Sequence, residues 1–207
     1  MQNLRESWLN KLSVAPFDQE VLKHEFDDVA YPIKKIARLA NDGVIIRLKR
    51  GLYCVSSEYS GKMIDPLVVA NMLYGPSYIS FESALAGYGL IPERVVETIS
   101  AITSRSKSFS NPLGRFVYRT VPKEVFSIGV KSENGVIIAS KEKALCDYLA
   151  SRRNLRIFSS KALKEYLEED VRFDFDAMGE VDCSIFAAYA ASGYKQSLFT
   201  ALERLFK

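Results

Sequence analysis

Apolar residues recur along the first third of the chain at two different spacings, and the change from one to the other outlines its elements. In "YPIKKIARLANDG" (31–43), a period of 100° per residue puts Ile33, Ile36, Ala37, Leu39 and Ala40 on one broad helical face. Tyr31, Lys34, Lys35, Arg38 and Asn41 gather on the other. Pro32 suits the first helical turn and Gly43 the stop. The next stretch, "IIRLKRGLYCV" (45–55), joins two β-favouring runs through a basic dipeptide and Gly51, which can supply the positive φ of a tight reversal. Upstream, "APFDQEVLKHEF" predicts a short helix from Asp18 to Glu25, capped by Asp18 or its neighbour, and "NLRESWLNKLS" another from about Asn3 to Leu12. Three short helices followed by a two-stranded hairpin is the layout of a winged helix-turn-helix. The polar segment "SSEYSGKMIDP", with Gly61 and Pro66, sets its boundary near residue 60.

Residues 61–207 follow a different plan. "DPLVVANMLYG" predicts a helix, and "SYISFESALAGYGLIPE" an extended piece leading into a helix with Ser80 as N-cap and Gly89 as terminator. "VVETISAIT", "RFVYRTV", "VFSIGV" and "GVIIAS" have strand patterning, with "KSENG" as the turn between the last two. "TSRSKSFSNPLGR" is expected to be a loop. "SKEKALCDYLASRR", "SSKALKEYLEED", "VDCSIFAAYAAS" and "YKQSLFTALERLF" predict helices. The expected class is α+β: a winged helix-turn-helix over 1–60, then a larger α+β domain over 61–207 with a mostly antiparallel sheet.

The charge distribution sharpens this picture more than the total does. A net charge of +3, with 48% hydrophobic and 26% charged residues, describes an ordinary folded protein and is too weak to indicate a nucleic-acid partner. Between Ile33 and Arg50, however, six bases (Lys34, Lys35, Arg38, Arg47, Lys49, Arg50) face one acid, Asp42. In a helix-turn-helix the later helix enters the major groove and a wing lies along the adjoining backbone. Lys34, Lys35 and Arg38 are therefore candidates for base edges, beside Tyr31 on the same face, with Asn41 a possible adenine reader. Arg47, Lys49 and Arg50 would position the protein on phosphates. Contacts from about four to six of these cations imply a slope of log K on log salt of roughly −4 to −5. The alternative is a solvated hairpin whose charges only keep an edge soluble.

A second run, Thr98 to Lys123, holds Arg105, Lys107, Arg115, Arg119 and Lys123 and no acid. With Arg152, Arg153 and Arg156 it could form another nucleic-acid or partner surface, the alternative being a solvated loop. Glu165 to Asp182 is the opposite, eight acids to Arg172 alone, and would repel nucleic acid.

Little points to chemistry. Cys54, Cys146 and Cys183 are scattered in apolar company and His24 is the single histidine, so neither a zinc site, a disulfide framework nor a histidine-activated nucleophile is expected. Asp174 and Asp176 in "RFDFDAM" would share a face on a strand, as metal-dependent nucleotidyl transfer requires, yet the preceding "EYLEED" lacks the Gly-Ser turn that would hold a triphosphate. No metal or cofactor is expected. The sequence shows no membrane span and no signal peptide, which predicts a cytoplasmic protein.

In their order, "RLKRGLY", "YISFESAL" with "YGLIPE", and "ASKEKALCDYL" make the chain resemble the AbiEi-type antitoxins of type IV toxin–antitoxin systems in bacteria and some archaea. The resemblance covers most of the chain. It implies a winged helix-turn-helix that binds inverted repeats in double-stranded operator DNA and represses its own operon in a phage-defence (abortive infection) system. It also implies a C-terminal domain that neutralises an AbiEii nucleotidyltransferase toxin without clear need for a stable complex. Operator binding would then fall to Lys34, Lys35, Arg38, Arg47, Lys49 and Arg50, and antitoxicity to the basic surface of residues 105–123. Two other readings compete: a plain winged-helix regulator with a ligand- or partner-sensing C-terminal domain, and a nucleotidyltransferase-like enzyme built on Asp174 and Asp176.

Overall fold

The computed structural model describes residue 12, residues 15–153, residues 155 and 157, and residues 159–207. The helix expected over Asn3–Leu12 lies almost wholly outside them, as does Arg156.

The first described elements are β1 (Phe17–Asp18), α1 (Gln19–Glu25), α2 (Pro32–Asn41), β2 (Ile45–Lys49) and β3 (Leu52–Val55). Pro32 opens α2 as expected, and Gly43 follows its end at φ 71°. The three strands make an antiparallel sheet in the order β1-β3-β2, and Gly51 takes φ 80° at the hairpin turn. A small core of Leu22, Phe26, Ile36, Val44, Ile45 and Tyr53 holds these elements together. A bulge between Arg47 and Lys49 shifts the hairpin register, and Leu48, Leu52 and Cys54 pack into a second, larger core. The hairpin therefore contributes to both cores.

The remainder runs α3 (Ser57–Ser60), α4 (Pro66–Leu73), β4 (Ser77–Ile79), α5 (Phe81–Gly87), β5 (Thr98–Ile102), β6 (Lys107–Asn111), β7 (Gly114–Thr120), α6 (Lys123–Phe126), β8 (Val130–Glu133) and β9 (Val136–Ala139). It ends with α7 (Lys141–Ser151), α8 (Ser160–Glu169), α9 (Phe175–Met178), α10 (Cys183–Ala191) and α11 (Gln196–Phe206). Its six strands are ordered β6-β7-β5-β4-β9-β8. The β5/β7 and β4/β9 pairs are parallel and the other three antiparallel, so this sheet is mixed where a mostly antiparallel one was expected. One face meets α4, where the Tyr118 hydroxyl donates to the Ala70 carbonyl at 2.6 Å. The other meets α7, where Tyr78 and Ser80 donate to Asp147.

Two expected elements differ. The supposed loop 103–115 is largely the β6–β7 hairpin, because its alternating serines and Phe109 find a partner in β7, Phe109 opposite Phe116. "VFSIGV" is not a strand: α6 and a turn through Gly129, at φ 66°, precede β8. The "KSENG" turn forms as expected, Asn134 and Gly135 both taking positive φ (50° and 80°), as a two-residue hairpin turn demands. No helix among the described residues is long and apolar enough to cross a membrane.

Candidate nucleic-acid interface

Helix α2 buries a narrower stripe than its apolar residues suggest. Ile36 is sealed at 1% exposure, with Leu39 and Ala40 half-buried against the small core. Ile33 is 62% exposed and Ala37 also faces solvent, contrary to the expectation that both would pack inward. The small core, built around Leu22, Phe26 and Tyr53, accommodates only the centre of the stripe. The outward face thus carries Tyr31, Ile33, Lys34, Ala37, Arg38 and Asn41.

The expected cations divide. Lys34 lies over the Tyr31 ring at 4.6 Å and remains exposed. Lys35 is half-buried, folded back over the Phe26 ring at 3.8 Å, and leaves the outward face. Arg38 is exposed and meets Asp42 at 3.5 Å, an i,i+4 pair of small worth in water. Arg47 and Arg50 are exposed on the hairpin. Lys49 is a correction to the expected wing contact: its ammonium turns inward and donates to the Leu73 carbonyl at 2.6 Å, at the end of α4. Nearby, Asn111 donates to the Leu48 carbonyl at 3.3 Å, a second tie between the hairpin and the larger sheet. A groove of about 470 Å³ runs between α2 and β2, lined by Ala37, Ala40, Asn41, Ile46, Arg47 and, from the β6–β7 turn, Pro112.

The second basic set does not assemble. Strand alternation puts Lys107, paired in register with Tyr118, on the α4 face of the sheet, where it lies over the Tyr74 and Phe109 rings. Arg115 and Arg119 point to the opposite face, and each is paired, Arg115 with Glu97 at 2.9 Å and Arg119 with Glu82 at 2.7 Å. Arg152 also binds Glu82, at 3.3 Å, and lies over Tyr148. Arg105, Lys123 and Arg153 are exposed. Adjacent cations in sequence are therefore distributed over two faces, and three of them have carboxylate partners.

The carboxylates of "RFDFDAM" do not share a strand face. Asp174 is the N-cap of α9, accepting from Ala177 N at 2.9 Å, and Asp176 lies in the first turn. Cys54 and Cys146 are buried as expected, whereas Cys183 is partly exposed.

Sequence reasoning passed over a buried polar network. Lys143 and Asp147 are at 0% and 1% exposure. Lys143 Nζ donates to the Val125 carbonyl (2.7 Å) and the Tyr189 hydroxyl (2.8 Å). Asp147 accepts from Tyr189 (2.6 Å), Tyr78 (2.9 Å) and Ser80 (2.7 Å). Ser80 is the N-cap of α5 by position, but its hydroxyl serves Asp147 instead of the helix. Burial pulls the Lys143 ammonium below its usual pKa, with Asp147 opposing, and pushes the Tyr78 and Tyr189 hydroxyls far up. The network joins β4, α7 and α10, and none of its side chains lines the groove beside α2 or a second one beside α5. The signal was a charged i,i+4 pair, Lys143 and Asp147, in the largely apolar stretch "KALCDYLA".

No protein-family model matches the chain, and no curated protein matches it.

Proposed function

We propose that this protein is a winged helix-turn-helix DNA-binding repressor of its own operon, acting without an enzymatic step. Helix α2 enters the major groove of inverted-repeat operator DNA, and Arg47 and Arg50 contact the flanking phosphates. The observation that carries the reading is the chain order β1–α1–α2–β2–β3 around one antiparallel sheet, with Lys34, Arg38 and Asn41 outward on the last helix before the hairpin. The antitoxin role, directed at a nucleotidyltransferase toxin and needing no stable complex, rests on the resemblance of the sequence motifs to the AbiEi-type antitoxins.

The test is a salt-series mobility-shift titration of the full chain on DNA upstream of its own gene, against unrelated DNA. With Lys35 and Lys49 turned away, four cations remain, Lys34, Arg38, Arg47 and Arg50. The expected slope of log K on log salt is roughly −3 to −4. Binding equal to the control DNA would refute the repressor reading, and a flat salt dependence would refute the phosphate contacts.

A further inference from the structure

Resting on the DNA-binding reading, we propose that Ile33 and Ala37 select the operator by packing on the C5-methyl groups of thymine, with Asn41 completing an A·T-reading line. Positions 33, 37 and 41 are spaced four apart, so they follow one another along a single face of α2. At 1.5 Å per residue the line spans about 12 Å, on the order of three to four base pairs. Ile33 exposes 62% of its surface there, beside Lys34, on a helix whose apolar centre is sealed at Ile36. An exposed isoleucine alone is ordinary. This one lies in line with Ala37 and Asn41 on a face edged by Lys34 and Arg38, and a groove leads from Ala37 and Asn41 to Arg47.

Charge identifies the occupant. With Lys35 and Lys49 turned away, four cations remain to one acid, Asp42, which pairs with Arg38, so the apolar line lies on a face of net positive charge. A polyanion with apolar groups in its groove fits that surface. In the DNA major groove the apolar group on offer is the thymine methyl, and an amide side chain pairs with the adenine N6/N7 edge. A·T pairs present both.

The experiment uses the full chain and two synthetic duplexes of its upstream region, one with thymidine and one with deoxyuridine throughout, which removes the methyls and keeps the hydrogen-bonding edges. Each buried methyl is worth about fourfold in affinity, so two should make the wild type bind the thymidine duplex about fifteenfold tighter. Ile33→Ala, an exposed substitution, should weaken binding to the thymidine duplex and shrink that ratio, with its salt slope unchanged. Selective binding to the upstream DNA with equal affinity for both duplexes would overturn methyl reading while leaving the repressor intact. A ratio unchanged by Ile33→Ala would remove Ile33 from it, and failure to prefer upstream over unrelated DNA would overturn both proposals.

Discussion

Asp147 accepts three hydroxyl hydrogen bonds in a site closed to water and lies 4.0 Å from the Lys143 ammonium. The two charges are not equally dependent on each other. Without Lys143, the carboxylate keeps Tyr78, Ser80 and Tyr189 as donors, and the Val125 carbonyl keeps Ile128 N as a donor. Without Asp147, a buried ammonium loses its counter-charge and three hydroxyls lose their acceptor at once. Asp147→Ala should therefore cost about 3–5 kcal/mol, and Lys143→Met, similar in volume, only about 1–2 kcal/mol. Urea unfolding of the two variants decides this; equal losses, or a larger loss for Lys143→Met, would show that the ammonium governs the network.

At the level of elements, the β2–β3 hairpin carries two kinds of cation that look alike in "RLKRG". Lys49 is bonded to the Leu73 carbonyl and Arg50 is exposed at the turn. Lys49→Ala should lower stability by about 1–2 kcal/mol and leave the salt slope of DNA binding unchanged, whereas Arg50→Ala should reduce that slope by about one and leave stability alone. Measuring both quantities on both variants separates the roles; a slope reduced by Lys49→Ala would return that residue to the phosphates. The same contrast shows what was legible. Helix α2, its Pro32 start, its Gly43 stop and the Gly51 reversal were readable because local rules determine them. The inward turn of Lys49 was not, since its acceptor lies 24 residues further on. Strand β6 was hidden for a similar reason: "KSFSN" has weak strand patterning, and pairing with β7 makes it a strand. The candidate cations could be named from sequence, but which of them face outward depends on Phe26, Leu73, Glu82 and Glu97, residues distant in the chain or beyond a turn.

Across the whole molecule, the hairpin is where the small and large cores meet, and Cys54 sits in it at 0% exposure. Burial pushes its thiol from 9.0 up to about 11. In the unfolded chain that thiol ionises first, so across pH 9 to 11 the unfolded state holds fewer protons and stability falls as pH rises. Cys146, Tyr78, Tyr118 and Tyr189 are all raised by burial and act in the same direction at alkaline pH. Lys143 and Lys195 act in the opposite direction: burial lowers their folded pKa values, so they add stability as pH rises toward 10.5, but they are two groups against these five. Unfolding free energy should therefore decline from pH 9 upward. Cys54→Ala, whatever its cost at pH 8, should lessen the loss between pH 8 and pH 11 by about 2 kcal/mol. Urea titrations of wild type and variant at the two pH values give the comparison. An identical decline in both would mean that the thiol ionises as easily folded as unfolded, and that the seam between the two cores admits water at Cys54.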